Sequence, residues 1–139
     1  MTTREAFDEV CGYTLSLGDH AFIHQHVVDA YAAQTADATT KPIQLTFALV
    51  GLHLMLDRNH TGKAVQRAHQ FLAQRKGSWP TLILPAARGS ITAHDVLAQP
   101  PGPTRDRAIH EWCASIWSDY RDSHATIIHY LVEHGYGNR

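Results

Sequence analysis

The sequence predicts an all-α fold, a compact bundle of four to five helices forming one domain over residues 1–139. Three observations predict it. Apolar residues recur at the 3.6-residue spacing of a helix in one segment after another. Two short links join three of the longest segments, which implies antiparallel neighbours. The one short β-branched apolar stretch, residues 81–84, closes at Pro85 and has no candidate partner strand, so residues 81–85 read as an extended segment lying on the bundle.

The elements follow in order. Residues 3–17 place Phe7, Val10, Cys11 and Leu15 on one stripe, with Thr3 as a cap and Gly12 weakening the middle. A Leu17-Gly18-Asp19 turn leads into residues 19–35, DHAFIHQHVVDAYAAQT. There Asp19 is placed to accept from a first-turn N–H, and Ile23, Val27, Ala30 and Tyr31 share an arc. Pro42 at the first helical position opens the next helix, whose residues 43–56 are apolar almost all round, the mark of a buried central helix. Thr61 caps a helix from 62 to about 75 with Val65, Ala68 and Leu72 inward. Lys76-Gly77-Ser78-Trp79-Pro80 is a stop signal. Thr92 caps a short helix at 93–98, and Gln99-Pro100-Pro101-Gly102-Pro103 is a stiff link. Thr104 opens the last long helix, with Ile109, Trp112, Cys113, Ile116, Trp117 and Tyr120 as its core stripe. Ser123 recaps a final segment carrying Ile127, Ile128, Leu131 and Val132 and ending at Gly135.

Composition excludes several classes. With 44% hydrophobic and 18% charged residues this is an ordinary globular chain, long enough for a real core. A net charge of −1 provides no footprint for nucleic acid or an anionic membrane. The longest apolar run, residues 45–56, is too short to span a bilayer, and no basic stretch followed by an apolar one marks a signal peptide. Cys11 and Cys113 lie far apart in no C-x-x-C pattern, which reads as a reduced pair in the cytoplasm. The unusual number is 11 His.

Three of those histidines, His24, His53 and His69, sit on consecutive antiparallel helices, and the link lengths bring them to one depth of the bundle by the 1.5 Å rise per residue. Three imidazoles with an open position suit catalytic zinc, and imidazole also suits iron, copper and nickel, so a divalent transition metal is the expected cofactor. Asp29 and Tyr31 are the expected catalytic acid/base groups, with His26, Gln34 and Gln66 as supporting or pocket residues. The competing reading is structural: buried neutral histidines bonded to backbone or tyrosine. His124, His129 and His134 recur every five residues and read as surface. Trp79, Trp112, Trp117 and Cys113 read as core filling, and Arg88-Gly89 as a weak anion contact. No H-E-x-x-H, E-x-x-H, G-x-S-x-G, P-loop or dinucleotide fingerprint is present.

The motif His24-x4-Asp29-Ala-Tyr31-x2-Gln34 resembles an uncharacterised bacterial family, a domain of unknown function. So do Phe47-Ala-Leu-Val-Gly-Leu52, Val65-Gln66-Arg67-x-His69 and the Trp79-Pro…Leu84-Pro…Arg88-Gly89…Thr92 segment. The likeness covers roughly residues 7–117, and the family brings no established activity with it. It groups His24, Asp29, Tyr31, Gln34 and His69; where the family pattern continues with a histidine after the glutamine, this chain has Thr35. The expected function is therefore a metal-dependent enzyme acting on a small molecule. The alternative is a non-catalytic small-molecule-binding or protein-interaction module with structural histidines. Neither needs nucleic acid or a membrane, and a homodimer is left open.

Overall fold

The first helix, α1 (Thr3–Ser16), is capped by Thr2 rather than Thr3. The Thr2 hydroxyl accepts from the Glu5 N–H at 3.0 Å and the Glu5 carboxylate accepts from the Thr2 N–H at 3.1 Å, a reciprocal capping box. The computed structural model describes residues 1–137. Next come α2 (His24–Thr35), α3 (Pro42–Arg58), α4 (Gly62–Ala73), α5 (Ala93–Leu97), α6 (Pro103–Asp119) and α7 (His124–Glu133), with a 3-10 turn at Arg121–Ser123. Among the described residues there is no strand, so the all-α expectation stands, but the helices number seven rather than four to five. The short α5 is a helix in its own right. The chain also changes pitch between Tyr120 and Ser123, so the C-terminal stretch is two helices joined by a 3-10 turn.

The sequence placed the start of α2 too early. Residues 19–22 form a turn closed by the Phe22 N–H on the Asp19 carbonyl at 3.3 Å, with Phe22 at φ 56°. A phenylalanine in that left-handed region is costly, and the neighbouring helix helps to hold it there. The Gly62 N–H donates to the Ala21 carbonyl at 2.6 Å, and a Cβ at residue 62 would run into the Phe22 carbonyl. Asp19 still accepts from the Ile23 N–H, at 3.0 Å, but from outside the helix, and His20 is left exposed in the turn.

The central helix is α3, with Leu45, Leu49, Val50, Leu52 and Leu54 buried, as its all-round apolar sequence requires. It packs against α2, α4, α6 and α7. Trp112, Cys113, Ile116 and Trp117 of α6 and Ile127 and Leu131 of α7 complete the core. Trp79 does not belong to it: 38% exposed, it stands edge-on to Phe47 with ring centroids 5.9 Å apart. Its place in the helix-free stretch of residues 75–92 explains the difference, because no helix carries it inward. Residues 81–85 form neither helix nor strand, and the Ile83 N–H donates to the Ser123 hydroxyl at 2.9 Å. No described helix is long and apolar enough to cross a membrane.

Arg88 pins this stretch to the bundle. Its guanidinium donates to the Ala33 and Ala36 carbonyls at the end of α2, at 3.2 and 2.6 Å, and to the Tyr120 hydroxyl at 2.9 Å. The positive group thus satisfies orphan carbonyls where the helix dipole is negative. The arginine read as a weak anion contact is a helix cap instead. Arg88→Ala should cost about 3 kcal/mol in chemical denaturation, since each hydrogen bond to a charged group contributes roughly 1.5–3 kcal/mol. All three contacts leave one nitrogen, Nη1, so Arg88→Lys, whose ammonium carries three donors, should recover part of the loss. A change under about 0.5 kcal/mol for Arg88→Ala would show that the stretch is held by its other contacts.

Candidate functional site

Asp29 projects from α2 into the seam with α3 and α4 and is only 4% exposed. Its Oδ1 accepts from the Gln25 side-chain amide one turn back at 3.1 Å, whereas Oδ2 is buried without a hydrogen-bond partner. Room for the carboxyl exists because residue 51 of α3 is glycine: a Cβ there would run into the Asp29 carboxyl and come within 3.2 Å of Val65. Burial pushes the Asp29 carboxyl well above the ordinary carboxylate range, with only the Gln25 hydrogen bond opposing. The fold therefore favours its protonated form.

A cavity of about 540 Å³ opens beside it, bounded by α1, α2, α3 and α4 and lined by Arg4, Gln25, Asp29, Gln44, Phe47 and His69 among others. His69 stacks on the Phe47 ring with centroids 5.0 Å apart, and its Nε2–H donates to the Phe47 backbone carbonyl at 2.8 Å. That bond sets the neutral tautomer and leaves the lone pair on Nδ1. Burial lowers the His69 pKa, and the carbonyl bond works against the shift. Tyr31 stacks flat on Phe7, centroids 3.9 Å apart, and the Arg4 guanidinium lies over both rings at 5.4 and 6.0 Å. Tyr31 is thus not among the residues lining the cavity and touches it only through Arg4, which it attracts by a cation–π contact.

The structure brings Asp29 and His69 to one cavity and holds the other expected ligands elsewhere. His24, at the start of α2, lies 2.9 Å from the Thr14 hydroxyl of α1 through Nδ1; that hydroxyl spends its own proton on the Cys11 carbonyl, so His24 is the donor. Burial lowers the His24 pKa. His53 donates from Nδ1 to the Asp57 carboxylate at 2.8 Å, and the Trp117 indole N–H reaches the same oxygen at 3.2 Å. Each ring has its own partner, and among the described residues no group of three His, Cys, Asp or Glu side chains could hold a metal. Of the supporting residues, Gln66 is exposed, and His26 is buried against a different cavity. Gln34 is structural: its amide donates to the Arg88 and Ile91 carbonyls at 2.6 and 2.8 Å and accepts from the Trp112 indole at 3.0 Å.

Sequence reasoning missed Gly51, Gln25 and Gln44. A glycine inside an otherwise apolar helix was the available signal, since it costs about 1 kcal/mol there without a packing reason. The C-terminal histidines are also less exposed than their spacing implied. His124 stacks on Trp117, centroids 3.7 Å apart, and His134 donates to the Tyr130 carbonyl at 2.8 Å; His129 is exposed beside Glu133.

A family model described as a family of unknown function, DUF5946, matches residues 4–121. No curated protein matches the chain, and no solved structure does.

Proposed function

Because the chain belongs to DUF5946, a family of unknown function, we propose from the site alone that it binds a small polar molecule in the Asp29–His69 cavity and moves a proton on it. The reaction class is a tautomerisation: the Asp29 O–H protonates one atom of the substrate while His69 Nδ1 removes a proton from another. No co-reactant is needed, and the balance closes when the two residues exchange protonation states. The observation that carries this reading is a carboxyl 4% exposed in the lining of the same cavity as a neutral imidazole; its unpartnered Oδ2 packs against Gly51. Burial favours the protonated form of Asp29 and the neutral form of His69, and an acid and a base on one cavity are what general acid–base catalysis requires. Gln25 and Gln44 offer amide donors and acceptors for orienting the substrate.

The metal centre expected from His24, His53 and His69 is not part of this proposal, because among the described residues no three His, Cys, Asp or Glu side chains are grouped to hold an ion. Non-catalytic binding in the same cavity is the second reading, favoured by the partners that Asp29 and His69 already have inside the protein. Free Cys11 and Cys113 support a reducing compartment, the cytoplasm.

The test is proton exchange. Small ketones and keto acids in D₂O should exchange their α-hydrogens faster with the protein than without it. Asp29→Asn and His69→Gln should each lower that rate by roughly 10²–10⁴-fold. Ligand-observed NMR that finds binding without any exchange would establish the non-catalytic reading. Full exchange in both variants would end the acid–base assignment.

A further inference from the structure

On another side of α2 lies a second cavity, of about 280 Å³, at the lower edge of small-molecule pockets. It is enclosed by the turn before α2, the end of α3 and the first turns of α6. Ile23, Met55 and Ile109 form its apolar wall; its polar residues are Asp106, three histidines (His26, His60 and His110), Asn59 and Thr61. His26 is 5% exposed and its Nδ1 is buried without a hydrogen-bond partner. A buried lone pair costs less than a buried N–H, so the proton belongs on Nε2.

Asp106 determines the charge this cavity asks for. Its Oδ1 accepts from the Tyr13 hydroxyl at 2.6 Å, a neutral donor. Among the described residues no Lys, Arg or His forms an ion pair with it. The adjacent Arg105 is turned away, donating to the Gln99 and Leu97 carbonyls and lying over the Tyr13 ring at 4.8 Å. Burial holds His26 neutral, with a pKa lowered to about 4, so it supplies no compensating charge at pH 7. An unpaired carboxylate beside an apolar wall is complementary to an organic cation. We propose that this cavity is a binding site for a small alkylamine, its ammonium on Asp106 and its hydrocarbon against Ile23, Met55 and Ile109.

The site is independent of the Asp29 cavity and is tested on the whole chain without reference to it. The probe is n-butylammonium chloride, followed by the Met55 methyl and His26 ring resonances, with 1-butanol and butyrate as neutral and anionic comparators at matched ionic strength. Butylammonium should saturate with a Kd on the order of millimolar, in keeping with so small a ligand. 1-Butanol should bind at least tenfold more weakly, and butyrate should not saturate. Asp106→Asn should weaken butylammonium at least tenfold, and Ala21→Phe, which fills the cavity from its half-buried rim, should abolish saturation. Butyrate binding as tightly as butylammonium, unchanged affinity in either variant, or no saturation in the parent protein would each overturn the proposal. Should Asp106→Asn fail to fold, the Ala21→Phe result decides.

Discussion

Replacing Gly51 with alanine should lower the melting temperature by roughly 6–8 °C. The substitution gains about 1 kcal/mol of helix propensity. Against that, the new methyl occupies the space of the Asp29 carboxyl and crowds Val65. Overpacking in a dense core costs about 1–3 kcal/mol, and here the displaced group is also a buried acid that would lose its Gln25 partner, at about 1–3 kcal/mol more. The net cost is about 2 kcal/mol, and each kcal/mol moves the transition of a domain this size by roughly 3–4 °C. The decisive comparison is with Asp29→Ala/Gly51→Ala. If the clash is the cause, the alanine at 51 should cost about 3 kcal/mol less in the Asp29→Ala background than in the parent, the net cost of about 2 plus the propensity gain it had masked. Additive effects would mean that Gly51 is needed for some reason other than the carboxyl.

How much of this was legible beforehand differs between fold and site. The long helices announced themselves because their apolar stripes are regular and their caps are strong: Pro42 and Thr61 stand where the sequence placed them. The start of α2 did not, because Asp19 caps a turn as readily as a helix, and what decides is a contact 43 residues on, the Gly62 N–H on the Ala21 carbonyl. The histidine trio failed on azimuth. Counting residues from the links gives a side chain's height along the bundle and leaves its direction unspecified. Phe47 and His53 are six residues apart on α3, about 600° of turn, so their side chains leave the helix about 120° apart. His69 lies at Phe47, while His53 looks toward Asp57 and Trp117. Asp29 was legible because a carboxylate amid Val27, Ala30 and Tyr31 must either be exposed or be accommodated. The accommodation, Gly51, could be seen only in three dimensions.

The pH dependence of stability should show two buried groups pulling in opposite directions. His26 has a folded pKa of about 4 against 6.5 in the unfolded chain. Between those values the unfolded chain binds more protons, so stability is fully present above pH 6.5 and is lost as pH falls toward 4. The shift corresponds to roughly 3 kcal/mol. His24 and His69, also lowered by burial, act in the same sense. Asp29 is raised, so the folded protein holds the extra proton: its contribution is fully present below the unfolded value of 3.8 and is lost as pH rises through the folded pKa. Denaturant unfolding of three proteins across pH 4–7.5 separates the terms. His26→Gln should flatten the acid side of the curve by roughly 3 kcal/mol over that range, whatever its offset at pH 7. Asp29→Asn should do the reverse, because it removes a cost that exists only at higher pH: the variant should gain on the parent protein at pH 7 and lose that advantage toward pH 4. An Asp29→Asn penalty of the same size at both ends would mean that the carboxyl is not held protonated by the fold, and the proton donor assigned to the cavity would fall with it.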